Sequence, residues 1–166
     1  KFKVAFLFAE GIDNLTKLDE SKHLLNEVEN LVRLTFNRDT VKSHHLISPW
    51  TAMQEGFGKK AKHYHTSVEK LIKKVLRGKT VAGNNVLSNI LYYLALKNIV
   101  PFGIDNFEKL NGDLTFDMAF GKKRVGVLKK LKPRDLYYRD EKNILGTKLD
   151  YWKSSRTKLT GKSNSA

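Results

Sequence analysis

Cysteine is absent from this chain of 166 residues, which excludes disulfides, thiolate catalysis and cysteine-ligated metal. That absence fits a reducing compartment, and the expected location is cytoplasmic. Long apolar runs are missing too. The longest, residues 4–9, falls far short of the roughly 20 residues that cross a bilayer, and Glu10 and Asp13 cut it off before a signal-peptide core develops. No membrane partner is expected. Acidic residues are scarce: 17 Asp and Glu stand against 31 Lys and Arg, leaving a formal charge of +14. A surplus of that sign selects polyanionic partners, nucleic acid foremost, and names no reaction.

Several catalytic and binding devices are also lacking. Gly56, Phe57 and Gly58 lack the remaining glycine and lysine positions of either nucleotide-binding loop and read as a turn. His44, His45, His63 and His65 are close in sequence but have no further ligand at a recognised spacing, so neither a metal nor a cofactor is expected. The serines have no His and Asp partners that the sequence can assign, which leaves a catalytic triad unsupported.

What is present is strong periodicity. Residues 4–9 form a continuous apolar block ended by Gly11, Asp13 and Asn14, as a strand covered on both faces would require. Leu24, Leu25, Val28, Leu31 and Val32 recur at helical spacing, with Lys, Asn and Glu between them. Val68, Leu71, Ile72, Val75 and Leu76 mark a second helix, opened by the capping box of Thr66 and Glu69 and closed by Gly78. Val86, Leu87, Ile90, Leu91 and Leu94 mark a third, capped by Asn84 or Asn85 and stopped by Pro101.

Beyond Gly112 the period changes to two: Leu114, Phe116, Met118 and Phe120 alternate with Thr115, Asp117 and Ala119, the pattern of a half-buried strand. A turn at Gly121, Lys122 and Lys123 then leads into residues 124–128, and residues 136–139 and 144–152 form a second hairpin about Asp140 to Asn143. The expectation is one α+β domain over residues 1–166, its N-terminal helices packed on a mostly C-terminal sheet that residues 4–9 join.

The cations fall into groups: Lys59, Lys60 and Lys62; Lys70, Lys73, Lys74, Arg77 and Lys79; and Lys122, Lys123, Arg124, Lys129, Lys130, Lys132 and Arg134. A solvated helix face accounts for any one group. Their combination points to phosphate contact, which needs many positive groups and little sequence precision. Tyr92, Tyr93, Tyr151 and Trp152 are aromatic enough to stack on a base, and equally suited to core packing.

Residues 84–113 carry the most specific pattern: Asn84, Asn85 and Val86 open a helix, Val100, Pro101, Phe102 and Gly103 close it, and Asp105, Lys109, Leu110, Gly112 and Asp113 follow. With Ile47, Ser48, Pro49 and Trp50, with Tyr64, Thr66, Ser67 and Glu69, and with residues 155–160, this order resembles the B3/B4 editing domain of the phenylalanyl-tRNA synthetase beta subunit. It is closer to the free-standing bacterial relatives of that domain. The resemblance runs over residues 4–160, and against the family's usual length Gly161 to Ala166 reads as an unfinished C-terminus.

The resemblance implies a pocket for the mischarged aminoacyl end of tRNA, whose ester is hydrolysed by a positioned water. By position, Asn89, Tyr92, Gly103, Gly146, Ser154 and Thr157 would border that pocket, and Lys70, Lys73, Lys74, Arg77, Lys122, Lys123 and Arg124 would hold RNA. The family usually has a carboxylate where Asn89 stands and an asparagine where Tyr92 stands, and the synthetase has a histidine where Gly103 stands. Asn89 is no carboxylate base, Tyr92 is bulkier, and Gly103 lacks a ring to orient substrate. The implied function is aminoacyl-tRNA deacylation in trans. The alternatives are a non-catalytic module for tRNA or other RNA, and a protein that binds a small metabolite.

Overall fold

The computed structural model describes residues 4–55, 65–120, 123–125, 129–147 and 152–166. The chain is α+β. Helices α1 (Leu18–Thr35), α2 (Ser48–Glu55), α3 (Ser67–Leu76) and α4 (Val86–Asn98) occupy the N-terminal half. Strands β1 (Thr115–Met118), β2 (Lys123–Val125), β3 (Lys129–Leu131), β4 (Leu136–Arg139), β5 (Ile144–Thr147) and β6 (Trp152–Lys153) follow. A four-stranded antiparallel sheet has the order β1-β4-β5-β6, and β2 pairs β3 in a separate ribbon.

Local chemistry sets the helix ends. Thr66 accepts the Glu69 amide at 3.3 Å to open α3, and Gly78 takes a φ of 75° just beyond its end. The first amides of α4 are all met: Asn85 Oδ1 accepts from Ser88, Asn14 Oδ1 from Leu87, and the Asn14 carbonyl from Val86. Asn14 is itself 2% exposed, and its amide donates to the Ser163 carbonyl. It thereby ties the start of α4 to the C-terminal segment. At its other end α4 closes on Ile99, a β-branched residue with φ 52°, and burial of that side chain offsets the strain of about 1–2 kcal/mol.

The helices bury their stripes against one another. Leu25, Val28 and Val32 of α1 meet Val68, Ile72 and Val75 of α3 and Leu96 of α4 in one core that also takes in Phe36, Val41, Ile47, Val81 and Ile99. A second cluster, Ala119, Leu131 and Tyr137 with Ile144 and Trp152, lies on one face of the sheet. The helical core and the sheet's cluster are thus separate among the described residues, and the helices precede the sheet as the α+β expectation has it.

Some expectations change. Residues 4–9 form no strand: Phe6, Leu7 and Phe8 are more than half exposed, and Phe6 and Phe8 meet Phe116 and Phe107 edge-on. Only Ala9 makes a paired backbone contact, a reciprocal one with Ala166. The alternation on β1 is real but inverted, with Phe116, Met118 and Phe120 outward and Ala119 buried at 2% exposure. The turn expected at Gly121 and Lys122 lies outside the described residues; β1 pairs β4, and β2 pairs β3. The hairpin about Asp140 is present, because that carboxylate accepts the Lys142, Asn143 and Asn111 amides, but β5 ends at Thr147 and β6 returns alongside it.

Candidate functional site

Register across the sheet lines up a row of four residues. Phe116 lies opposite Tyr138, Tyr138 opposite Gly146, and Gly146 opposite Lys153, which puts all four on one face. The next row, Asp117, Tyr137, Thr147 and Trp152, faces the other way and supplies much of the second cluster. Gly146 is required where it stands, since a Cβ there would overlap the ring of Tyr138. With no side chain between them, Tyr138 and Lys153 both reach a carboxylate brought in by the loop after α4.

That carboxylate is Asp105. Its Oδ2 accepts from the Tyr138 hydroxyl at 3.1 Å and lies 3.2 Å from Lys153 Nζ, and its Oδ1 accepts from the Thr157 hydroxyl. Thr157 is 1% exposed, and its carbonyl accepts the Asn106 amide at 2.8 Å. Lysines usually bury the stem and leave the ammonium in water. Lys153 does the reverse: its side chain is 29% exposed while Nζ is enclosed, with Asp105 Oδ2 at 3.2 Å. Burial pushes this ammonium below the ordinary lysine range, and the Asp105 carboxylate opposes the shift.

Four residues expected at a pocket border this node. Thr157 bonds Asp105, Gly146 lies under Tyr138, and Ser154, which follows Lys153, donates its amide to the Leu145 carbonyl at 2.7 Å. A Cβ at exposed Gly103 would meet Lys153 Nζ at 3.9 Å and nothing else within 4 Å. Asn89 and Tyr92 are engaged in the helical core instead. Asn89, wholly buried, donates to Ser21 Oγ at 3.0 Å and accepts the Gly83 amide at 2.7 Å, and Tyr92 packs against the core of α1, α3 and α4. Asp105 was named only within the pattern that carries the resemblance, and Tyr138 and Lys153 were not singled out by sequence reasoning. The period-two pattern hints at Tyr138 and Lys153 only once strand register is known.

A second feature lies on α3. Arg38, His65, Lys70, Lys73 and Arg77 line a surface concavity of about 400 Å³. Lys70, Lys73 and Arg77 share a helix face by their spacing of three and four, whereas Arg38 and His65 arrive from other segments. Beneath them Glu69 is buried, with its Oε1 2.9 Å from Lys73 Nζ and 2.7 Å from His65 Nδ1. Desolvation holds His65 below its ordinary pKa of 6.5; Glu69 opposes that shift and Lys73 reinforces it. Among the described residues, no carboxylate pairs with Arg38 or Arg77. Lys74 is exposed on α3 outside the lining, β2 carries Lys123 and Arg124, and Lys122 lies outside the described residues, as do Lys59, Lys60, Lys62 and His63.

The two features adjoin. Ser67 Oγ, in the first turn of α3, accepts the Phe102 amide at 3.2 Å, so the loop bearing Gly103 and Asp105 is tied to the helix that carries the cations. At 1.5 Å per residue, Lys70 to Arg77 lies about 5–15 Å along that helix from Ser67. Of the aromatic candidates, Tyr93 packs against the helical core, Trp152 packs beside Tyr137, and Tyr151 lies outside the described residues. His44 stacks on His45 and against Phe36, and among the described residues no three metal-ligand side chains converge. No described helix is long and apolar enough to cross a membrane. Compared with known protein families, curated proteins and solved structures, the chain matches none.

Proposed function

We propose that this protein captures the acceptor end of aminoacyl-tRNA and hydrolyses a mischarged aminoacyl ester in trans. The observation that carries the reading is the adjacency just described. A concavity lined by Arg38, His65, Lys70, Lys73 and Arg77 is tied through Ser67 and Phe102 to a polar node at Gly103, Asp105, Gly146, Lys153 and Thr157. A cationic wall suits phosphates of a single strand, and a node of donors beside it suits the group that strand carries at its end. The resemblance to the B3/B4 editing domain supports the same reading. The test is amino-acid release from a panel of correctly and incorrectly charged tRNAs at low salt, against heat-inactivated protein. Selective release is expected; intact esters throughout the panel, with tRNA bound in the same samples, would refute it.

A second reading, a non-catalytic RNA-binding module, is favoured by Asn89 and Tyr92. Asn89 stands where the family usually has a carboxylate, and both of its amide atoms are committed to Ser21 and Gly83. This module would bind tRNA with strong inverse salt dependence and release nothing.

A further inference from the structure

We propose that Lys153 is the donor that binds the carbonyl oxygen of the aminoacyl ester, entering the space left open over Gly103. The inference rests on the deacylase reading and adds to it a residue from this chain. Three observations support it. Lys153 Nζ is enclosed, and among the described residues Asp105 is its one recorded partner. A buried ammonium carries three donors and is stable only when acceptors meet them. Asp105 meets one side of the ammonium at 3.2 Å and is shared with Tyr138 and Thr157. That single pairing among the described residues leaves donors of the ammonium for an incoming acceptor.

The site also has the shape for one. A Cβ built at Gly103 meets only Nζ within 4 Å, at 3.9 Å, so the exposed face of this loop has room for a group that Nζ can turn to meet. Gly103 is exposed, and the flexible lysine stem, 29% exposed, lets Nζ turn toward that space. A carbonyl oxygen is the acceptor that gains most from such a donor, because negative charge grows on it as water adds. The water oxygen bonds to the carbonyl carbon, and the carbonyl π pair moves to the oxygen held by Lys153. On collapse the bond from carbon to the ribose oxygen breaks, and the proton shed by the water passes to that ribose oxygen. Lys153 keeps its own proton throughout, and Asp105 holds the ammonium charged and in place, as a positioning residue.

The test uses the intact protein with a panel of amide analogues of the 3′-aminoacyl terminal adenosine, which bind but are not hydrolysed. Wild type is expected to bind at least one analogue, with a shift of the Lys153 Nζ resonance. Lys153→Met should weaken that analogue at least tenfold. Gly103→Val, which keeps the ion pair and fills the space before Nζ, should weaken it similarly with thermal stability unchanged, so an effect of misfolding is separated from loss of the donor. With charged tRNA, Lys153→Met should slow release by about 10²–10³-fold, the loss that follows removal of one oxyanion donor. Equal analogue affinity in wild type and both variants, or no analogue bound by wild type, would overturn the inference. Release by wild type that Lys153→Met leaves unchanged overturns the inference and spares the deacylase reading. Analogue binding that needs Lys153, with no release from any tRNA, does the opposite.

Discussion

Replacing Arg38 and Arg77 together by alanine isolates the electrostatic part of the cationic concavity. Both are exposed, and no described carboxylate pairs with either, so their loss should change folding stability by about 0.5 kcal/mol or less. Lys73 is a poorer choice, since it neutralises buried Glu69. Each phosphate contact on a single strand contributes about 0.7 to the slope of log affinity against log salt, so losing two contacts should flatten that slope by about 1.4. Between about 50 and 200 mM salt, wild type should therefore lose about sevenfold more affinity than the double variant. Fluorescence anisotropy with a labelled single-stranded 3′-acceptor oligonucleotide, over that salt range, measures both slopes. Parallel lines would refute the assignment of phosphates to this concavity, even if the variant bound more weakly at every salt concentration.

Other outcomes test the frame that holds the two features. Glu29 is 1% exposed, accepts from Thr80 Oγ1 at 2.9 Å and the Val81 amide at 2.7 Å, and pairs with Arg33. Glu29→Ala strands the buried Val81 amide and should cost about 2–4 kcal/mol, read as a lower urea midpoint at constant m; a change under about 1 kcal/mol would contradict this role. Gly146→Ala forces the Tyr138 ring away from Asp105 and should cost about 1–3 kcal/mol. At about 2–4 °C per kcal/mol for a chain of this size, thermal melting should show a drop of several degrees.

His65 sets a pH window. Its folded pKa lies below 6.5, so on acidification the unfolded chain takes up the proton first, and stability should fall as pH drops through that value. Urea midpoints at about pH 7.5 and 5.5 should differ in wild type and differ less in His65→Gln, with no difference between the two proteins counting against it. Asp13, held near 2 by Thr16 and then Leu15, titrates too low to blur that window.

Helices α1, α3 and α4 were legible because their signals are local. Thr66 with Glu69, Gly78, Asn85 and Pro101 act on atoms within a turn of themselves, and the stripe of α3 sits where its spacing predicts. The grouping of Lys70, Lys73 and Arg77 on one face follows from the same spacing. The sheet was less legible: alternation revealed β1 but not which row faces in, because the row beginning at Phe116 is covered only in part, by Phe6.

What the sequence alone determined, then, is helices α1, α3 and α4, the ends of α3 and α4, each set by neighbours three or four residues away, and the surplus of positive charge; α2 was not foreseen. Only the tertiary structure decided that Glu29, spaced as a solvent residue on α1, is buried to hold a loop 52 residues on. Only it decided that Asp105, Tyr138, Lys153 and Thr157 share one node. Those four meet through strand register and a loop whose course is fixed at Ser67, and such long-range geometry leaves no periodic trace along the chain.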